Sequence, residues 1–240
     1  MKKLILILPA LLMSLALMAD PKPLRVLVLG DDPMMVSDET TGAVGYATAL
    51  QPLFDEAVTV DVQASATLLS TDAASLLSPA HKGDIALICK RPVEATDVKA
   101  DERTLSDLYL EQLLAIQQAA QTKGVKLIWL TQACPRYFTA DSTQVHRLGI
   151  YPEIVRRMCQ RDALQLVDVE SLTFDWLTAT GIDSTATAFM PVVPATEQGA
   201  EKATREGNVL NEKGAQQVAS LIGEAIRANK KNILNKRLRQ

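Results

Sequence analysis

Two adjacent carboxylates, Asp31 and Asp32, follow an apolar run and a glycine in Arg25-Val-Leu-Val-Leu-Gly-Asp-Asp-Pro33. Paired carboxylates can hold different protonation states and so divide the work of acid and base, and their oxygens suit hard cations. The same pair also suits a turn and a cap, because aspartate side chains accept hydrogen bonds from nearby backbone. Far off in the chain stand a guanidinium, Arg91, suited to an anionic partner, and a further acid, Glu206. Only two histidines, His81 and His146, offer a general base near neutral pH. The spacing of these residues matches no diagnostic metal motif, so neither metal nor cofactor is expected.

The elements that must position these residues follow from hydrophobic patterning. Val26 to Leu29, closed by Gly30, reads as a central parallel strand covered on both faces, and ligands of open α/β sheets sit beyond the carboxyl ends of such strands. Thr41–Phe54, with Val44, Ala47, Leu50 and Leu53, has a helical repeat, and Ala57–Asp61 follows as a strand. Thr67–Leu77 predicts a helix, Ile85–Cys89 the third strand, Asp101–Thr122 a long helix and Val125–Leu130 the fourth strand. Tyr151–Arg161 is helical, Leu164–Asp168 is the fifth strand, Ser171–Thr180 a helix capped by Ser171, and Asn211–Ala228 a helix capped by Asn211. Alternating strands and helices argue for a parallel sheet with right-handed crossovers. The connection Gly181–Asn208 is irregular and long enough to cover the site edge. The basic tail 229–240 reads as solvated and frayed.

Lys2 and Lys3, the apolar run Leu4–Met18 and the small Ala19 match a secretory signal, so residues 1–19 are expected to be removed and the protein to be periplasmic or secreted. Taking Lys2 and Lys3 from the 25 basic residues leaves 23 against 28 acidic ones, a balance that argues against nucleic acid as partner. Residues 20–228 have the length of one α/β domain, with no linker or internal repeat to divide them.

Five strings, in order along nearly the whole exported chain, resemble the SGNH (GDSL-type) hydrolases and, within them, the rhamnogalacturonan acetylesterase-like branch. They are Val28-Leu-Gly-Asp31, Gly45-Tyr-Ala-Thr-Ala-Leu50, Gly83-Asp-Ile-Ala-Leu-Ile88, Tyr151-Pro-Glu-Ile-Val-Arg156 and Asn211-Glu-Lys-Gly-Ala215. The resemblance implies a doubly wound, three-layer α/β/α sandwich on a five-stranded parallel sheet of order 2-1-3-4-5. It also implies a seryl nucleophile, glycine and asparagine oxyanion donors, and a histidine base preceded by an aspartate. Those positions fall on Asp32, Ala66, Arg91 and Val209, with Glu206 in place of the aspartate. Valine accepts no proton and a carboxylate repels a developing oxyanion, so the acyl-transfer mechanism of such enzymes cannot run on these residues.

The expectation is an exported, catalytically degenerate protein that binds a carbohydrate or acetylated glycan through Asp31, Asp32, Arg91 and Glu206, the latter three forming an ion-paired cluster. One alternative is a hydrolase working through its carboxylates, or through His146 as a relocated base. Another is a phosphoacceptor receiver domain, which would need an aspartate ending the third strand and a lysine ending the fifth, where Cys89 and Asp168-Val169 stand. In the implied strand order Cys89 and Cys134 come within reach of a disulfide, with Cys159 left free, but Cys134 lies several residues into its loop, so three unpaired thiols are favoured over the bridge.

Overall fold

A computed structural model describes residues 22–65, 67–68, 72–92, 101–191 and 205–239. The leader 1–19, Ala66 and residues 192–204 of the Gly181–Asn208 connection lie outside the described residues. Strands β1 (Leu24–Gly30), β2 (Val58–Ala64), β3 (Ile85–Cys89), β4 (Lys126–Leu130) and β6 (Gln165–Val167) form the main sheet. Their order is β2-β1-β3-β4-β6 and every pairing is parallel. This is the expected order; the fifth sheet strand is sixth in the chain because β5 (Arg136–Tyr137) intervenes and pairs antiparallel with β7 (Glu206–Gly207).

Strand β1 shows why the sheet needs two covers. Val26 and Val28 enter one core with β3 residues Ile85 and Leu87, while Leu27 and Leu29 enter the other with Ala86 and Ile88. Successive strand residues point to opposite faces, so a run apolar at every position demands helices on both sides. On one face lie α1 (Ala73–Leu76), α2 (Glu102–Lys123) and α3 (Tyr151–Arg161). On the other lie α4 (Val169–Thr180) and α6 (Glu212–Ala228), while α5 (Ile182–Ala186) is a short turn after α4. Each fully buried Val or Leu of β1 contributes roughly 1.5–3 kcal/mol.

Four local expectations need correction. The segment 41–54 forms two 3-10 turns, Tyr46–Ala49 and Gln51–Leu53, in place of one helix; Pro52 cannot donate to a continuing helix, and the Tyr46 N–H is drawn off to Met34 O. In the segment expected as a helix over 67–77, α1 covers only Ala73–Leu76. Helix α4 is capped by Asp168, whose carboxylate accepts from the Ser171 N–H, so Ser171 lies within its first turn. The tail is docked: Leu234 is fully buried, Leu238 bridges to Phe54, and the Arg239 guanidinium donates to Phe54 O. No helix among the described residues is long and apolar enough to cross a membrane.

Candidate functional site

The carboxyl ends of β1, β3 and β4 open into three loops, 31–36, 90–92 and 131–135, and of the sequence-derived residues Asp31, Asp32 and Arg91 lie there. Gly30 is required by close approach, since a Cβ on it would sit 2.4 Å from the Cys89 carbonyl oxygen. Gly30 and Cys89 are register partners, so Asp31 and Lys90 emerge side by side. Their side chains pair at 2.7 Å with both residues almost wholly buried. The other oxygen of Asp31 accepts from the Arg91 N–H at 2.7 Å, and the Lys90 carbonyl accepts from the Tyr109 hydroxyl at 2.6 Å. Lys90 is a site residue that sequence reasoning missed. Its signal was the register of two glycine- and cysteine-ended strands, which sets a cation beside Asp31.

Asp32 turns the opposite way, into the sheet edge. It is 1 % exposed, with Oδ1 accepting from the Met34 N–H at 2.8 Å and Oδ2 from the Ala133 N–H at 2.6 Å. The Cys89 sulfur lies 3.9 Å from Oδ2. Burial pushes the Asp32 carboxyl up to about 6 against the pull of those two N–H groups and the Arg91 charge, and the Asp31 charge adds to the rise. Cys89 and Tyr46 are buried among the same groups, and burial followed by the nearby charge drives both upward.

The expected Asp32–Arg91–Glu206 ion-paired cluster is not what the geometry contains. Asp32 is held by backbone N–H groups, Arg91 reaches it only through longer-range charge, and Glu206 stands on β7 opposite Tyr137. Val209 is half-buried, its carbonyl accepting from the Met190 N–H. The turn carrying it is tied to the Asp32 loop by two links, Val44 N–H to Leu210 O and Tyr46 N–H to Met34 O. Of the two readings of the cysteines, the structure has the three unpaired thiols: Cys89, Cys134 and Cys159 are all free and buried. Cys89 faces Asp32, whereas Cys134 lies within 3.6 Å of Pro135 O and Gln144 Nε2, so the two thiols address different partners.

Of the histidines, His81 is exposed at the opposite edge, beside Arg25 and Asp84. His146 lies at the site edge. Its Nδ1 is 2.5 Å from Glu170 Oε1, and its ring stacks on Phe174 at 3.8 Å and 7°. Glu170 Oε2 takes Arg156 Nη2 at 2.5 Å, and Arg156 also forks onto Asp168 at 2.8 and 2.9 Å. Although burial opposes it, Arg156, Ser171 and Thr131 hold Asp168 below the usual carboxylate range. Cys134 adjoins this group, and among the described residues Cys134, His146 and Glu170 form a cluster of potential metal donors. No sequence pattern joins them, because they come from three segments.

No family model matches the chain, and no curated protein matches it. Solved structures do. The YXIM protein of Bacillus subtilis aligns with TM-score 0.64 and 15 % identity over 89 % of this chain. This chain spans 58 % of that protein's length. A catalytic mutant of Axe2, an acetylxylan esterase from Geobacillus stearothermophilus, aligns with TM-score 0.51 and 12 % identity, covering 88 % of this chain and 95 % of that one. A lipolytic G-D-S-L family member from Veillonella parvula aligns with TM-score 0.50 and 11 % identity, covering 88 % and 100 %. The chain therefore has the α/β fold found in GDSL/SGNH esterases.

Proposed function

We propose that this chain is an exported, catalytically silent protein on the SGNH-hydrolase fold that binds a carbohydrate. The observation that carries the first half is the state of Asp32. At the position where the resemblance places a seryl nucleophile stands a buried carboxyl whose two oxygens are each engaged by a backbone N–H. A hydrolase needs there a group that can attack, within reach of a base, and the position matched to the base is Val209. The carbohydrate half is supported by an acetylxylan esterase sharing the fold and by the resemblance to rhamnogalacturonan acetylesterases. Export is supported by the leader signature of residues 1–19.

A second reading has one observation in its favour. With its carboxyl raised to about 6, Asp32 titrates where acid–base groups work, so a carboxylate-based hydrolase would use it.

Residues 20–240, assayed with p-nitrophenyl acetate and acetylated xylan, are expected to release no product above the uncatalysed rate, and to be retarded by acetylated xylan in affinity electrophoresis. Hydrolysis abolished by Asp32→Ala would overturn the silent reading in favour of the second. Unretarded migration would overturn the carbohydrate half.

A further inference from the structure

Cys134 follows β4, His146 precedes α3 and Glu170 opens α4, yet a sulfur, a ring nitrogen and a carboxylate oxygen from these three all lie within 4.8 Å of one another. We propose that Cys134, His146 and Glu170 form a binding site for a zinc-like divalent transition-metal cation, independent of the reading of Asp32.

The donor set selects the ion. Thiolate and imidazole suit zinc and cobalt, whereas magnesium and calcium take oxygen ligands. A tetrahedral ion about 2.0–2.3 Å from each donor spaces donors by about 3–4 Å. On loading, the Cys134 sulfur and the other donors, within 4.8 Å of one another, therefore draw together, while His146 Nδ1 and Glu170 Oε1, 2.5 Å apart, move apart to admit the ion. His146 is free to make that adjustment: it lies on a loop and its side chain is 59 % exposed, which also provides a route in for the ion.

The surroundings are those of a metal centre. Phe174 fixes the plane of the His146 ring, and Gln144 Nε2 donates toward the Cys134 sulfur at 3.6 Å, a contact that favours the thiolate. Arg156 occupies Glu170 Oε2 and leaves Oε1 for the ion. The guanidinium is offset by its fork onto Asp168, so the thiolate and the Glu170 carboxylate together match a charge of two. Burial, then the Glu170 charge, pushes the Cys134 thiol up to about 12, so without a cation it is protonated. An ion displaces that proton, as thiolate ligation requires, and takes the place of the direct His146–Glu170 contact. Three protein ligands leave one position for water or an anion. Ala133, whose N–H holds Asp32, is the neighbour of Cys134, so the cation would border the sheet edge described above.

The test uses untagged residues 20–240, stripped by chelator and titrated with Co²⁺ and then Zn²⁺. One equivalent of Co²⁺ is expected to give the near-ultraviolet charge-transfer band of a cobalt–thiolate bond and the visible bands of tetrahedral cobalt, both removed by Zn²⁺. Cys134→Ser should lose the charge-transfer band. His146→Ala, at an exposed side chain where folding is not at risk, should weaken Co²⁺ binding at least tenfold and lose the rise in Tm that Zn²⁺ gives the unaltered protein. Absence of the thiolate band in the unaltered protein at millimolar Co²⁺ would overturn the proposal. So would cobalt affinity unchanged in His146→Ala, or a thiolate band that survives Cys134→Ser.

Discussion

Asp32 Oδ2 accepts its 2.6 Å hydrogen bond from the backbone N–H of Ala133, 101 residues further along the chain. One carboxylate thus ties the loop after β1 to the loop after β4, two strands away in the sheet, and its protonation state acts on the whole edge.

The pH dependence of stability should reveal this. The Asp32 carboxyl is raised to about 6 in the fold, against about 3.9 in an unfolded chain. The folded state therefore binds the proton more tightly. It bears no penalty below the unfolded value, a growing one as pH rises from about 4 to about 6, and a constant one above, amounting to about 3 kcal/mol. In urea unfolding, Asp32→Ser should remove this component, so that the variant gains on the parent as pH rises from 4 to 7. Parallel stability curves would refute a raised carboxyl at this position.

Removing Lys90 should cost more than removing its partnership. Lys90→Ala strands the Asp31 carboxylate in a place that is 1 % exposed, at about 3–5 kcal/mol. Lys90→Met combined with Asp31→Asn removes both charges and should recover most of that loss. The coupling from a double-mutant cycle in urea is the measurement, and additive effects would contradict a buried pair.

Arg156→Ala should destabilise by about 2–3 kcal/mol, less than a fully buried break because the guanidinium is partly solvated. Asp168 sits below its ordinary value in the fold, so its share of the penalty is present above about pH 4 and fades as pH falls through the depressed value. Arg156→Lys should restore only part of the loss, since an ammonium cannot fork onto Asp168 and Glu170 together. Full rescue by lysine would show that charge alone matters there.

Deleting residues 232–240 should destabilise by about 3–5 kcal/mol, the contribution of burying two leucine side chains. Leu234 is fully buried and Leu238 nearly so. Circular dichroism melts of the shortened chain give the answer; an unchanged Tm would return the tail to the frayed state its charge suggests.

The main sheet was legible because apolar runs with Gly or Cys at their ends have one physical solution, a strand covered twice. Segment 41–54 was misread because Val44, Ala47 and Leu50 satisfy a helical repeat and two successive 3-10 turns alike. The tail was misread because its Lys and Arg density masks the apolar positions 233, 234 and 238. At the site, Asp31 and Asp32 were visible as a local string. Whether they face each other or part company depends on Lys90 and Ala133, which lie in the loops after two other strands. The grouping of Cys134, His146, Arg156, Asp168 and Glu170 depends entirely on tertiary placement of segments without a shared local pattern.

The docked tail also fixes where attachments leave the domain. The Arg237 guanidinium donates to Lys22 O at 2.9 Å, so residues 22 and 237 meet at the corner where β1 begins. The Asp31–Asp32 edge lies at the far end of that seven-residue strand, roughly 20 Å away. A tether joined to either terminus, whether a bead, a fusion partner or an engineered surface anchor, therefore holds the domain by the same corner and presents the Asp32 edge outward. A short peptide joining 239 back to 22 should close the chain into a ring without disturbing that edge, leaving the loop tips free to supply new termini.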